Sequence, residues 1–291
     1  MTFDVFLTSL FQPLQYGFML KAMATGVFVC SVCAVLSCFI VLKGWALIGD
    51  AMSHSILPGI IFAYILGLPM AIGAIASGVA CVMIAGAARN LTTVKADALL
   101  GISFTGFLGV GMILLVATPS NIHFMQILFG NLLGIEKNVL IQTVIVGVLT
   151  LLTVLIKRKD LILFSFDPCQ ASIIGLSPAK LELFLLVLVA ATAVTALQVT
   201  GIVLVVAMLI APGCIGFLLT QRFHSMVLVS VASAMIATIV GTLASFWLNG
   251  ETGATIVLVQ AGLFVLAFLF APKNYLIQKR KNSGLQTGRS A

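Results

Sequence analysis

Long stretches without a charged side chain are the feature of this sequence that most limits its possible folds. Seven stretches of 19 to 39 residues contain no Asp, Glu, Lys or Arg. A helix needs about 20 apolar residues to cross the hydrocarbon core of a bilayer, so each stretch is long enough for one crossing. Only 8% of the residues are charged, whereas soluble domains have about 25%. The sequence therefore predicts an integral membrane protein.

We divide two of these stretches into two crossings each. They are residues 51–88 and 183–221, and each contains Gly or Pro residues typical of tight connections, in LGLP at 66–69 and QVTG at 198–201. We therefore expect a single transmembrane domain over residues 1–272, an all-α helical bundle with nine spans. The predicted spans are 22–42, 46–66, 69–88, 98–118, 138–156, 181–199, 202–220, 226–248 and 253–272.

The distribution of positive charge predicts the orientation of the spans. Short cytoplasmic connections of membrane proteins are enriched in Lys and Arg. If the loop at 157–180 is cytoplasmic, 13 of the 15 Lys and Arg residues lie on that side, and only Lys21 and Lys137 lie outside. This asymmetry predicts an outward N-terminus and a cytoplasmic C-terminus. Residues 273–291 then form a basic cytoplasmic tail attracted to anionic membrane lipid, and we expect no nucleic-acid partner.

One predicted span carries two ionisable residues. In GWALIGDAMSHSILPGI, residues 44–60, Asp50 and His54 are four positions apart and lie on the same face of a helix. A charged side chain inside a membrane is costly, by about 2.5–3.5 kcal/mol for Asp at the centre of a span on insertion scales. Two interpretations stay open. Asp50 lies at the membrane edge with His54 as its hydrogen-bond partner, or both residues bind a cation on an internal pathway, because Zn, Mn and Fe share carboxylate and imidazole ligands.

The sequence contains no arrangement typical of a catalytic site. Intramembrane aspartyl chemistry needs two carboxylates that share a proton, and the aspartates other than Asp50 lie at span edges or in loops. The histidines lack the H-E-x-x-H pattern, and the chain has no G-x-x-x-x-G-K-[ST] phosphate loop. We therefore expect that the protein is not an enzyme and that any ATP hydrolysis belongs to a separate subunit.

The longest predicted cytoplasmic connection, residues 157–182, contains the signals for a short helix. Asp167 is a favourable N-cap, Pro168 suits the first helical position, and Gly175 suits the left-handed residue after the last turn. Pro178 prevents the helix from continuing. The segment predicts a helix of about two turns, which is either an ordinary loop helix on the membrane surface or a rigid projection that fits a cytoplasmic partner.

Six segments of the chain together resemble one family of membrane proteins. In order and spacing they resemble the permease subunits of bacterial ABC importers for manganese, zinc and chelated iron, over about residues 15–272. The G-D-A-x-S-H-x-x-x-P-G block is the most specific of them. The segments are LKGWALIGDAMSHSILPGI, LLGISFTGFLGVGMIL, ILFGNLLGI, SFDPCQASIIGL, VLVVAMLIAPGCIGFLL and TGATIVLVQAGLFVLAFLFAP.

The resemblance implies roles for individual residues. It implies that Asp50 and His54 contact the transported metal along its pathway. It also implies that a short coupling helix meets the ATPase. The residues that match this coupling segment are Phe166, Asp167, Pro168, Ala171 and Gly175. Members of the family have about eight spans, so eight stays an alternative to nine.

The resemblance further implies the partners and the cargo. Such importers combine two permease copies, identical or paralogous, with cytoplasmic ATP-binding subunits and an extracytoplasmic metal-binding protein, in the bacterial plasma (inner) membrane. We expect an ATP-driven importer of a divalent transition metal, with manganese or iron favoured over zinc, and no permanently bound cofactor. The alternative is a secondary, proton-coupled metal transporter without an ATPase. If His54 is a ligand, uptake should weaken at acidic pH, because imidazole must be neutral to bind metal.

Overall fold

A computed structural model of the chain describes residues 15–45, 47–89, 91–118 and 134–270. The predicted basic tail at 273–291 lies outside the described residues. Within them the chain forms helices and no strands. The helices are α1 Gly17–Lys43, α2 Ile48–Ile65, α3 Met70–Arg89, α4 Ala96–Ala117, α5 Lys137–Ile156, α6 Arg158–Phe166, α7 Pro168–Ile173, α8 Pro178–Thr200, α9 Ile202–Leu219, α10 Phe223–Leu248 and α11 Thr252–Phe270.

Nine helices in the described part of the chain, α1 to α5 and α8 to α11, are long and apolar enough to cross a membrane. Each corresponds to one span predicted from the charge-free stretches, and no boundary differs by more than five residues. The glycines at the two predicted breaks, Gly67 and Gly201, have φ of +68° and +80°, a conformation that glycine adopts without steric penalty. The prediction of an all-α membrane bundle is confirmed.

The spans pack mainly as two groups, and α8 contacts both of them. One group contains α1, α9, α10 and α11, and the other contains α2, α3 and α4. The spans α1, α2 and α8 are mostly buried within the chain, whereas α4, α5 and α11 are mostly exposed. In a membrane, exposed spans contact lipid or another subunit.

One end of the bundle is basic, and several helix ends meet there. Lys43 ends α1, and its ammonium group lies 3.3 Å from the ring centroid of Phe164 on α6. A cavity of about 60 Å³ at this end is lined by Trp45, by Asp97 of α4 and by Glu182 of α8. We call this end the basic end. Its described basic residues outside the helix interiors are Lys43, Lys95, Lys157, Arg158, Lys159, Lys180 and Arg222.

Glycines bring the backbones of α2 and α3 into contact. A Cβ atom added at Gly59 would collide with the carbonyl oxygen of Gly73, and one added at Gly73 would collide with the carbonyl oxygen of Gly59. Beside this contact, the Ser77 hydroxyl of α3 donates a hydrogen bond to the carbonyl of Ser55 on α2. Small residues allow such close approach between membrane helices, and the contact fixes the position of α2.

A serine on α1 pairs with backbone groups on both sides of a proline inside α9. Pro212 has no N–H group to donate to the preceding turn. The buried Ser37 hydroxyl donates to the carbonyl of Ile210 over 3.1 Å and accepts from the N–H of Gly213 over 2.9 Å. A break in a membrane helix is tolerated where neighbouring side chains pair with the backbone. Ser37 therefore ties α1 to α9.

We expect Gly59→Val to lower the free energy of unfolding by about 1–3 kcal/mol, which is the usual effect of overpacking. The reason is that the new side chain would collide with the backbone of Gly73. The thermal unfolding midpoint of the purified chain in detergent measures this effect. Gly262→Val on α11 is the matched control, since a Cβ atom there meets no heavy atom within 4 Å. Equal midpoints for the two variants would contradict the close contact between α2 and α3.

Candidate metal site and coupling segment

The first two turns of α2 carry Asp50 and His54. Asp50 belongs to the first turn of the helix, where the helix dipole stabilises a negative charge. Both side chains are half-buried in the single chain, so the bundle core does not enclose them. The carboxylate thus lies near a helix end, as in the first of the two interpretations of the sequence.

His54 contacts an aromatic ring and forms no bond with Asp50. Its imidazole stacks on Phe104 of α4, with ring centroids 5.7 Å apart and an interplanar angle of 25°. Among the described residues, neither the Asp50 nor the His54 side chain forms a hydrogen bond or an ion pair. The hydrogen bond between them that one interpretation required is therefore not found. The carboxylate oxygens and imidazole nitrogens are available to a ligand.

The two side chains supply part of a metal site. Carboxylate oxygen and imidazole nitrogen suit Zn, Mn and Fe, which typically take about four to six ligands. No group of three or more His, Cys, Asp or Glu side chains placed to hold a metal ion occurs in the described part of the chain. One chain therefore offers two of the necessary ligands, and water or a second chain would have to supply the others.

The face of α2 that carries the pair continues into an apolar cavity. Pro58 lies one turn beyond His54 on the same face of α2, and Phe62 follows one turn later. Pro58 cannot donate the hydrogen bond that the His54 carbonyl would receive in a regular helix. Both residues line a cavity of about 910 Å³ between α2, α3 and α4. The ionisable pair thus lies between the basic end and an apolar surface.

The short helix predicted from the loop is present as α7. The Asp167 carboxylate accepts hydrogen bonds from the N–H groups of Cys169 and Gln170, over 2.9 and 3.0 Å. Pro168 is the first helical residue, and Gly175 follows the helix with φ of +87°. The structure confirms the helix and both terminating signals. With six residues α7 is shorter than the two turns predicted.

Buried side chains attach α6 and α7 to the bundle. Leu161 and Phe164 of α6 and Ala171 of α7 are almost completely buried. The contact of the Phe164 ring with the Lys43 ammonium is a cation–π interaction, worth about 0.5–2 kcal/mol. Lys43 ends α1, and α2 begins five residues later. The loop helices therefore touch the segment that leads directly to Asp50.

Three large apolar residues in or beside α7 are exposed. Phe166 is 61% exposed, and Ile173 and Ile174 are 84% and 64% exposed. Exposed apolar side chains that cluster at one place are typical of a protein contact. The sequence pattern indicated Phe166 but not the two isoleucines. Their position immediately before the left-handed Gly175 is the signal that would have identified them, because it places them at the end of a short helix.

Phe104 is another residue of the site that the sequence pattern did not indicate. It lies in the LLGISFTGFLGVGMIL segment that contributed to the family resemblance. Nothing in the spacing of that segment indicates contact with His54, which is 50 positions earlier in the chain. The packing of α4 on α2 brings the two rings together.

We expect Asp167→Ala to loosen α7, because the N–H groups of Cys169 and Gln170 would lose their acceptor. Loss of an N-cap costs about 1 kcal/mol, so amide hydrogen exchange in residues 168–173 should become about fivefold faster. Asp167→Asn is the matched control, since asparagine caps helices as well as aspartate does. Unchanged exchange in Asp167→Ala would show that the cap does not stabilise α7.

Comparison with known proteins identifies matches along almost the whole chain. A sequence model of the ABC 3 transport family matches residues 15–271. The manganese transport system membrane protein MntB of Synechocystis sp. is 46% identical over 277 residues, which cover 94% of this chain and 90% of that protein. The chelated iron transport system membrane protein YfeD of Yersinia pestis is 44% identical over 259 residues, with coverage of 89% and 87%. The solved structure of PsaBC from Streptococcus pneumoniae in complex with Fab matches with a TM-score of 0.83 and 34% identity, over 94% of this chain and 99% of that one.

Proposed function

Because this chain belongs to the ABC 3 transport family, we propose that it is the membrane-spanning permease of an ATP-driven importer that carries a divalent transition metal into the cytoplasm. Two of its relatives are named for manganese transport and chelated iron transport, which favours manganese or iron over zinc as the cargo. The observation that carries the proposal is the Asp50–His54 pair. It presents oxygen and nitrogen donors on one face of a membrane helix, without other polar partners in the described residues.

A second permease copy completes the partial metal site in this proposal. Oligomers of identical subunits are commonly related by a two-fold axis, and such an axis near α2 would bring two carboxylates and two imidazoles together. The bound cation would then offset the charge of both Asp50 side chains. The α4 helix, which contacts His54 through Phe104, is exposed over most of its surface. This exposed surface supports an interface with a second subunit, identical or paralogous.

The basic end is the cytoplasmic end in this proposal, because Lys and Arg are enriched in cytoplasmic connections. Metal delivered by an extracytoplasmic binding protein would enter at the opposite end. Asp50 and His54 would then bind it close to the cytoplasmic edge, where release occurs. Two donors from each chain form a sparse site, and a transport site must bind weakly enough to release its ion.

The cytoplasmic ATP-binding subunit contacts the apolar surface of α7 and Phe166 in this proposal. ATP hydrolysis belongs to that partner, and the permease responds to its movement. Ala171 is the buried residue of α7, and Phe164 of α6 packs against Lys43 at the end of α1. A displacement of α7 would therefore move α6 and, through the contact of Phe164 with Lys43, the end of α1. The start of α2 lies only five residues further along the chain. This short connection gives the partner direct mechanical access to Asp50.

We expect Asp50→Asn and His54→Gln each to lower the initial rate of metal uptake at least about tenfold, since even the outer-shell partners of metal ligands commonly have effects of this size. Each substitution preserves the approximate size of the side chain and replaces the carboxylate or the imidazole with a neutral amide, which is a weaker ligand. The measurement is the ATP-dependent uptake of radioactive manganese by vesicles that contain the complete importer.

Ser53→Ala is the matched control for these two variants. Ser53 lies in the same part of α2, and its buried hydroxyl has no hydrogen-bond partner among the described residues, so its removal should leave uptake unchanged. Wild-type uptake by both Asp50→Asn and His54→Gln would contradict a metal pathway at α2. Uptake that proceeds without ATP would identify a secondary transporter instead, and competition among Mn, Fe and Zn identifies the cargo.

We expect Ile173→Asp to weaken binding of the ATP-binding subunit at least about tenfold, because a charged side chain would replace an apolar contact. Copurification of the two subunits at graded concentrations measures this loss. Leu91→Asp is the control, since Leu91 is equally exposed, at 86%, in the connection between α3 and α4 at the same end. If both variants retain the subunit equally well, α7 is not the docking surface.

A further inference from the structure

An apolar crevice lies at the basic end, between α1, α5, α6 and α10. It encloses about 600 Å³. Phe39 of α1 and Phe223 of α10 both line it, and their ring centroids are 5.1 Å apart. Val154 of α5 and Ile162 of α6 line the same space. Four helices therefore enclose an apolar slot, which is separate from the face that carries Asp50 and His54.

Three basic side chains line this crevice beside its apolar residues. Arg158 and Lys159 at the start of α6 and His224 at the start of α10 line the crevice, and all three residues are exposed. No Asp or Glu is among the lining residues. The one ion pair in the described part of the chain joins Lys157 to Asp160 and involves none of the three. The crevice thus combines an apolar interior with positive charge that no carboxylate neutralises.

The crevice continues onto the exposed surface of a membrane span. Leu155 of α5 lines it, and Leu152 and Ile156 on the same helix are also exposed aliphatic residues. Such a surface on a membrane span contacts the hydrocarbon of the bilayer. Arg158 follows within one helical turn of Leu155, at the depth where interfacial headgroups are found. The apolar part of the crevice therefore lies at the level of acyl chains, and its basic part lies at the level of phosphates.

We propose that this crevice binds an anionic phospholipid of the surrounding membrane. The headgroup phosphate lies between Arg158 and Lys159, near His224, and one acyl chain packs against Phe39 and Phe223. Basic pockets between membrane helices are suited to such headgroups. The unneutralised charge favours an anionic lipid over a zwitterionic one, and contact with the bilayer favours a lipid over a soluble protein. The bound lipid would brace α6, and thereby α7, against α1 and α10.

Native mass spectrometry of the purified full chain tests this inference. The chain is offered equal amounts of phosphatidylglycerol and phosphatidylcholine in neutral detergent, and the ratio of the two retained lipids is measured. We expect the wild type to prefer phosphatidylglycerol. Arg158→Gln combined with Lys159→Gln should lower the ratio about thirtyfold, since each basic residue near a membrane surface contributes a factor of about five.

Two further variants separate a specific site from general charge attraction. Lys95→Gln combined with Lys180→Gln removes the same charge from exposed positions at the same end but outside the crevice, and it should keep the wild-type ratio. Val227→Phe enlarges a residue that lines the crevice from α10 and leaves its charge unchanged. It should reduce retention of phosphatidylglycerol by excluding the acyl chain.

Three outcomes would overturn the inference. The first is equal retention of the two lipids by the wild type. The second is a loss of preference in the Lys95 and Lys180 double variant as large as that in the Arg158 and Lys159 double variant. The third is displacement of phosphatidylglycerol by millimolar inorganic phosphate together with no effect of Val227→Phe. The last outcome would identify a site for free anions. The thermal unfolding midpoint of each variant shows whether it is folded. If the Arg158 and Lys159 double variant does not fold, the wild-type ratio and Val227→Phe decide the question.

Discussion

The absence of water from the bilayer core is the constraint on which this structure depends, because every backbone N–H and C=O group there must pair within the protein. Continuous helices meet that requirement except at proline. At Pro212 of α9, the Ser37 hydroxyl of α1 pairs with two backbone groups. Near Pro58 of α2, the Ser77 hydroxyl of α3 pairs with the Ser55 carbonyl. The interruptions are therefore also the places where neighbouring helices are joined.

The same constraint gives Asp50 and His54 their importance. Ser37 has its hydrogen bonds within the chain, whereas the described residues provide neither Asp50 nor His54 with a polar partner. The first turn of α2 favours the carboxylate through the helix dipole, and Phe104 supports the imidazole through ring stacking. These contacts orient the pair without neutralising it. A transported cation and a second permease copy would provide the missing partners, and this is why the pair is central to the proposed function.

The α6 helix connects the two contacts that we propose at the basic end. Its C-terminal side leads to α7. The exposed Ile173 at the end of α7 and Ile174 just after it belong to the proposed surface for the ATP-binding subunit. Its first residues, Arg158 and Lys159, form the proposed headgroup site of the phospholipid crevice. Its buried Phe164 contacts Lys43 at the end of α1. A force applied at α7 would thus act on α6. In our proposals, α6 contacts a bound lipid at its first residues and contacts the segment before Asp50 through Phe164.

Local chemistry explains which features the sequence determined by itself. Charge is excluded from spans, so the nine membrane-length helices of the described residues followed from the charge-free stretches. The termini of α7 followed from Asp167 and Gly175, whose capping roles depend only on nearby backbone. The spacing of Asp50 and His54 likewise placed them on one face. Only the tertiary structure decided that Phe104 meets His54 and that Arg158 shares a crevice with His224. Spans that are apolar on every side have no hydrophobic stripe to specify which face packs inward, and their contacts depend on shape and small residues.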